Sequence, residues 1–217
     1  MTEHSARSDL ERTCAEFELP FPGLLAEQLG TMLEVIAQGA AATNLVGDPS
    51  PAGVAEHVLE ALVVAACWRS VHQDPAVIAD IGAGAGIAAF TYALIWPQVV
   101  VYAVEPRRLR AEFIALASQR LAVANRVIVV QKSLASAVQT AALPANVQLA
   151  DARAVWPASE WLPRALPLIG NDGLVALHVK GPIREAEQAL AVGVEVAAAR
   201  QVPGPRGNAV LLVMIRP

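Results

Sequence analysis

The chain has 217 residues, a mass of 22.8 kDa and a formal net charge of −4 at pH 7, which suits one domain with a sizeable core. Hydrophobic residues make up 55% and mean hydropathy is +0.44, but the most apolar stretch, 88–104, is interrupted by Pro97 and Gln98 and is too short to span a membrane. The polar N-terminus lacks the apolar core of a signal peptide. We therefore expect a soluble cytoplasmic protein with no membrane partner.

Cysteine and histidine do not form a predicted metal site. Cys14 and Cys67 belong to no Cys-x-x-Cys pair. The four histidines are scattered without ligand spacing, at His4, His57, His72 and His178. We expect no metal cofactor.

Charge is spread unevenly along the chain. Residues 1–104 contain 3 Lys or Arg against 12 Asp or Glu, whereas residues 105–217 contain 13 against 8. The second half can therefore carry a basic patch for nucleic acid. An imbalance spread over solvated surfaces explains the same counts.

The first third of the chain is predicted to be helical, because apolar residues recur at spacings of three and four. These helices cover 9–18, 24–37 and 54–68. Turn-forming residues predict a loop over 41–51, between the second and third helices. We assign residues 1–72 to a helical N-terminal extension and residues 73–217 to the α/β core of a single domain.

From Val77 onward, short β-branched runs alternate with longer helical segments. The predicted strands are 77–81, 99–104, 127–130, 147–150, 174–179, 194–197 and 210–215. The intervening helices end near Ile95, Ala122 and Ala141, and two more cover 161–169 and 183–192. This alternation predicts a seven-stranded, mostly parallel sheet with helices on both faces.

A glycine-rich turn, Asp80-Ile81-Gly82-Ala83-Gly84-Ala85-Gly86, joins the first strand to its helix. Glycines allow a tight turn and close approach to a ligand, and the helix N-terminus offers free N–H groups. A dinucleotide fingerprint requires a third glycine where Ile87 stands. Glu105 ends the second strand, where an acid accepts hydrogen bonds from both ribose hydroxyls. The combination favours a nucleotide-type site over a purely structural turn.

The order Asp-x-Gly-x-Gly-x-Gly resembles motif I of class I S-adenosylmethionine-dependent methyltransferases. The resemblance implies a Rossmann-like fold and S-adenosylmethionine as cofactor. In that family the acid lies near the cationic methionine part of the cofactor, and Asp80 would attract a sulfonium or ammonium group.

Further segments resemble the bacterial glucose-inhibited division B family, which methylates guanine N7 in 16S ribosomal RNA. They are Asn44-Leu45, His57, Asp80 to Ile87, Phe113, Arg153-Ala154 and Lys180-Gly181. The resemblance implies that activity, with 16S RNA or the small ribosomal subunit as partner. Because guanine N7 already carries an accessible lone pair, alignment with the donor suffices and no general base is needed.

The resemblance also implies a set of cofactor-binding residues. Two members of the set, Leu134 and Ala135, border the adenine, and the remainder are Asp80, Gly82, Gly84, Gly86, Ile87 and Glu105.

Two basic residues are candidates for the catalytic role, because each follows a predicted buried strand at the edge where such sheets place their sites. The resemblance implies that Arg153 reaches the cofactor or target base; its position alone suggests a phosphate or base contact. Lys180 is expected to contact phosphate. A surface arginine and a solvated lysine are the alternatives.

Other polar residues have less specific interpretations. Arg107, Arg108 and Arg110 either bind RNA phosphate or form a solvated helix face. His57 is interpreted as a satisfied core or interface histidine. Asn44 either binds substrate or caps its own turn.

The chain departs from the family near the expected methyl group. Ala88-Ala89-Phe90 stands where the family has Pro-Gly, the family lysine before Phe113 is replaced within 107–110, and Ser133 and Ala135 replace an Arg and a Glu. These changes keep two alternatives open. One is methylation of another RNA, a small molecule or a protein; the other is a non-catalytic cofactor-binding assembly protein.

Overall fold

The structure is a computed structural model that describes residues 3–42, 46–180, 193–203 and 208–215. Asn44-Leu45, Gly181 and the helix predicted over 183–192 lie outside the described residues.

Three helices precede the first strand, and strands and helices alternate from there to the end of β5. The helices are α1 (Glu3–Glu16), α2 (Gly23–Ala42), α3 (Pro51–Arg69), α4 (Ile87–Ile95), α5 (Arg108–Arg120), α6 (Leu134–Gln139) and α7 (Ala158–Ala165). A 3-10 turn (Leu166–Leu168) follows α7. The strands are β1 (Val77–Ile81), β2 (Val100–Val104), β3 (Val127–Val130), β4 (Val147–Asp151), β5 (Ile169–Lys180), β6 (Val194–Gln201) and β7 (Asn208–Ile215).

The strands form one seven-stranded sheet in the order β3-β2-β1-β4-β5-β7-β6. Strands β1 to β5 pair in parallel, and β7 runs antiparallel to both neighbours. This confirms the predicted α/β class. The order reverses between β1 and β4, whose register pairs Asp80 with Asp151 at their carboxyl ends. In open sheets of this kind, ligands bind at such a switch point.

Two apolar layers cover the sheet because its central strands are buried on both faces. One layer packs α1 to α5 against strand residues such as Ile78 and Val101. The other packs α6 and α7 against the alternate residues, including Ala79 and Ile81. The period-two alternation of strand side chains explains this division.

Helix α3 is the central helix of the first layer and packs against α1, α4 and β7. The Ser50 hydroxyl caps it by accepting a 3.2 Å hydrogen bond from the Gly53 N–H, and Pro51 occupies its first turn. Among the described residues it alone has the length and hydropathy to cross a membrane, but 67% of its most apolar window is buried inside the protein. Its apolar side chains are therefore accounted for by packing in the hydrophobic core.

The largest difference from the sequence prediction is at β5, which begins at Ile169 rather than at residue 174. The segment Gly170-Asn171-Asp172-Gly173 has turn composition, yet it belongs to a strand whose register against β4 shifts between Val147 and Leu149. A Cβ on Gly173 would meet the Val147 carbonyl oxygen at 2.9 Å. The helix predicted over 161–169 accordingly ends earlier, with α7 at Ala165.

Candidate active site

A cavity of about 950 Å³ opens at the carboxyl ends of β1, β2, β4 and β5. Its wall combines the glycine-rich turn after β1, the loops after β2 and β4, and residues of α3 and β5. The polar and charged side chains among its lining residues are His57, Glu60, Asp80, Glu105, Arg107, Arg110, Arg153, His178, Lys180 and Asn208.

The glycine turn, residues 82–86, folds over the end of β2. The N–H groups of Gly82 and Ala83 donate to the Val104 carbonyl at 2.8 and 3.1 Å. Gly82 (φ +74°) lies so close to the loop after β4 that a Cβ on Gly82 would approach Val155 Cγ2 at 2.4 Å. A Cβ on Gly84 (φ +61°), in contrast, would meet no atom nearer than 3.8 Å. Gly84 therefore presents bare backbone to open space, as a close-fitting ligand requires.

Glu105 fixes the turn from the end of β2. Its side chain is buried, with Oε2 accepting a 3.0 Å hydrogen bond from the Gly84 N–H and Oε1 a 2.9 Å bond from the Arg107 N–H. Each carboxylate oxygen has a second lone pair. Glu105 can thus hold the turn and still accept hydroxyl donors from a ligand in the cavity.

Asp80 carries a buried oxygen that nothing in the described protein satisfies. The residue is 4% exposed, lines the cavity, and its Oδ2 has no hydrogen-bond partner. Burial and the charge of Asp151 raise the pKa of Asp80 to about 7. A cationic ligand group would satisfy this oxygen, because buried carboxylates otherwise remain costly. The cavity thus fits a ligand with a cationic end and a hydroxyl-bearing end.

Asp151, at the end of β4, is held by two neighbours. His178 Nε2 lies 2.7 Å from its Oδ1, and the buried Tyr92 hydroxyl donates to its Oδ2 at 2.5 Å. Burial acts to raise the pKa of Asp151, but His178 and Tyr92 outweigh burial and lower it. For His178 the directions are reversed: burial acts to lower its pKa, but the neighbouring Asp151 charge outweighs burial, and the pKa is raised. When His178 is protonated, the two side chains form a largely buried ion pair.

Arg153, two residues after β4, contacts two residues of α3. Its Nη1 donates to His57 Nδ1 and forms an ion pair with Glu60 Oε2. Together with the Asp151 contacts, these form a polar cluster, defined as His57, Glu60, Tyr92, Asp151, Arg153 and His178.

The structure brings most of the predicted site residues together. Those lining the cavity are Asp80, Gly82, Gly84, Ile87, Glu105, Arg153 and Lys180. Gly86 instead caps α4 (φ +78°), in contact range of Phe90. Leu134 is buried at the start of α6 and Ala135 is exposed beside it, and neither lines the cavity. Their contact with adenine stays a prediction.

Four members of the polar cluster are absent from the sequence predictions of the site. His57 is hydrogen-bonded, as expected of a satisfied histidine, but it also lines the cavity. For two of the four missed residues, the sequence offers a signal of a role in the site. Asp151 shortly precedes Arg153 at the end of a buried strand, and Glu60 lies about one helical turn after His57. For Tyr92 and His178, both within apolar segments, the sequence offers no comparable signal.

Basic side chains surround part of the cavity. Arg107, Arg110 and Lys180 contribute to its lining, while Arg108 points its guanidinium to Glu112 at 2.8 Å on the surface of α5. The run 107–110 therefore divides into cavity residues and a solvated helix face. Within the described ranges, no group of three or more His, Cys, Asp or Glu is placed to hold a metal ion.

Comparison with known proteins identifies the family. The family model described as rRNA small subunit methyltransferase G (GidB) matches residues 25–200. The chain belongs to this family. It is 27% identical to the ribosomal RNA small subunit methyltransferase G of Clavibacter michiganensis, over 78% of this chain and 80% of that one. Its identity to the protein of the same name from Dichelobacter nodosus is 30%, over 59% and 60%.

Solved structures agree on the fold. An O-methyltransferase from Bacillus cereus in complex with SAH superposes with a TM-score of 0.61 at 17% identity, covering 85% of this chain and 90% of that one. As a member of the GidB family, the chain is an S-adenosylmethionine-dependent rRNA methyltransferase. The predicted enzyme class and cofactor are confirmed.

Proposed function

We propose that this protein methylates N7 of a guanine in 16S RNA, within the small ribosomal subunit in the cytoplasm. We further propose that residues 1–217 act as one methyltransferase domain, with 1–72 as a helical extension on the α/β core of 73–217. The observation that carries the proposal is the unsatisfied oxygen of Asp80 in a cavity whose lining includes three arginines and a lysine. One feature suits a cationic donor and the other a polyanionic acceptor.

Asp80, the glycine turn and Glu105 form the cofactor half of the site. Asp80 would pair with the cationic methionine end, and Glu105 would accept from the ribose hydroxyls. The backbone of Gly82 and Gly84 permits close contact, Gly86 and Ile87 begin the helix beneath it, and the adenine would reach towards Leu134 and Ala135. When bound, S-adenosylmethionine supplies an activated methyl group on a sulfonium.

The acceptor half needs alignment rather than a base. Guanine N7 has a free lone pair that can accept the methyl group directly, so no side chain of this protein has to remove a proton. Arg153 would orient the cofactor or base, and Lys180 would hold a neighbouring phosphate. Holding both reactants in line supplies the acceleration.

The test is transfer of a labelled methyl group to 30S subunits and 16S RNA that lack N7-methylguanosine, with RNA from modified cells as control. We expect incorporation only into the unmodified RNA, at one guanine, with the label on N7. Cofactor binding without incorporation into either substrate would refute the proposed acceptor.

Substitutions of two basic residues at the rim of the cavity, Arg107 and Lys180, test whether these side chains bind RNA. Arg107→Ala and Lys180→Ala should each weaken RNA binding several-fold and reduce the slope of log affinity against log salt by about 1. Arg108→Ala is the matched control, because its guanidinium pairs with Glu112 away from the cavity. Equal effects of all three substitutions would argue against a specific rim.

A further inference from the structure

The anchoring of Arg153 comes from an unexpected part of the chain. Its two partners, His57 and Glu60, lie on α3, about ninety residues earlier and inside the helical extension rather than the α/β core. Both partners line the same cavity as Arg153. The side chains of His57 and Glu60 are 24% and 17% exposed, so both contacts are partly shielded from bulk water.

The chemistry of the contact fixes which nitrogen of His57 accepts. Arginine only donates hydrogen bonds, so Nδ1 of His57 must be unprotonated and act as the acceptor. The distance of 3.7 Å between that Nδ1 and Glu60 Oε2 is consequently not a hydrogen bond, and Glu60 is left as the charge partner of Arg153. Arg153 thus has one neutral and one anionic anchor, both reached through Nη1.

Without these anchors, Arg153 has other carboxylates to pair with. Its positive charge already acts on two of them: it opposes the rise in the pKa of Asp80 and adds to the fall in the pKa of Asp151. Asp151 is held by His178 and Tyr92, but Asp80 has a free oxygen. An untethered guanidinium would be drawn to that oxygen, which would then be blocked for a cationic ligand.

We propose that His57 and Glu60 are positioning residues: they hold the Arg153 guanidinium at the cavity wall and keep it from occupying Asp80. In this proposal Nη1 is held by α3, and Nε and Nη2 are the nitrogens that would donate to the cofactor or target base. The helical extension is thereby part of the active site. This inference rests on the proposed function of Arg153.

A double-mutant cycle tests whether His57 and Glu60 act through Arg153. We expect His57→Ala and Glu60→Gln each to lower kcat/KM for methyl transfer about tenfold in the native chain. In an Arg153→Ala background, the same two substitutions should cause no further loss, because the group that they position is gone. Losses that multiply in the double variants would overturn the proposal.

Conservative replacements separate positioning from general packing. His57→Asn keeps an acceptor near the place of Nδ1 and should recover most of the activity lost in His57→Ala. Glu56→Gln, an exposed change one turn earlier on α3, is the matched control and should leave kcat/KM unchanged. Thermal melting of every variant monitors folding. If Arg153→Ala melts early because Glu60 is left unpaired, Arg153→Gln, which offers Glu60 an amide donor without a guanidinium, serves as the background instead.

Cofactor affinity, measured by calorimetry with S-adenosylmethionine alone, distinguishes failure of this inference from failure of the proposed acceptor. Weaker binding in His57→Ala and Glu60→Gln, absent from the Arg153 background, supports the positioning role even if the native chain methylates no 16S RNA. Unchanged affinity and unchanged kcat/KM in both single variants would refute it.

Discussion

The two walls of the cavity are built in opposite ways. The wall formed by the glycine turn and Glu105 comes from one stretch of about twenty-five residues and relies on backbone groups. The wall backed by the polar cluster takes two side chains from α3, one each from α4, β4 and β5, and Arg153 from the loop after β4, and it relies on buried charge. A local wall tolerates change elsewhere in the chain, whereas the assembled wall depends on the packing of the whole fold.

The walls also differ in how their polar groups are satisfied. On the glycine-turn side, Glu105 gives each oxygen a backbone donor and remains able to accept more. In the polar cluster, the carboxylates of Glu60 and Asp151 are matched to Arg153 and His178. Asp80 lies between the two walls and alone among the described buried carboxylates has an oxygen without a partner. Asp80 is therefore the residue whose unsatisfied oxygen we expect a ligand to pair with.

The largest expected effect is on the local wall. Glu105→Ala removes the hydrogen bond that holds the glycine turn at Gly84, the bond from the Arg107 N–H, and the two that we assign to ribose. Since bonds to a charged group contribute about 1.5 to 3 kcal/mol each, S-adenosylmethionine affinity should fall about 100-fold or more. Calorimetric titration checks this, with Glu112→Ala on the exposed face of α5 as control. A tenfold effect or less would mean that Glu105 only shapes the turn.

A smaller effect separates ligand space from protein packing within the same turn. Gly84→Ala places a methyl group in open cavity space, so we expect affinity for S-adenosylmethionine to fall about tenfold, with a stability loss of about 1 to 2 kcal/mol from the positive φ. Gly82→Ala, whose methyl group would collide with Val155, should lower the melting temperature much further. If both variants melt alike and bind alike, the space beside Gly84 is not ligand space.

The smallest expected effect is that of Asp80→Asn on the pH dependence of stability in the absence of ligand. Because the folded pKa of Asp80 is raised to about 7, its protonated form stabilises the fold at low pH, and that stability is lost as the pH rises through about 7. Asp80→Asn should therefore melt a few degrees above the native chain at pH 8, with the difference shrinking towards pH 4.

Asp151→Asn is the matched comparison and should act in the opposite direction. The pKa of Asp151 is lowered, so its negative charge stabilises the fold at pH values above the ordinary pKa of an aspartate. The substitution removes that charge and breaks the contacts with His178 and Tyr92. We expect a loss of about 3 kcal/mol at pH 8, read from denaturant unfolding. Destabilisation by Asp80→Asn at pH 8 would show that its oxygen is satisfied after all.

Much of the local wall could be predicted from the sequence. One short stretch contains the strand Val77–Ile81, the glycine turn and Glu105. Each of these features could be predicted because it depends on residues that are close together in the sequence. The strand and helix alternation likewise predicted the sheet. Strand β5, however, begins five residues before its apolar run, because it includes a glycine-containing segment where the register against β4 shifts.

The assembled wall was decided by the tertiary structure. The sequence by itself determined the residue types, the order of elements and the position of Arg153 after β4. It did not determine that α3 would place His57 and Glu60 against Arg153, or that Tyr92 would reach Asp151 from α4. Helix periodicity specifies which face of a helix is apolar, but only the packing of that face on a particular sheet decides which polar residue at its edge meets which partner.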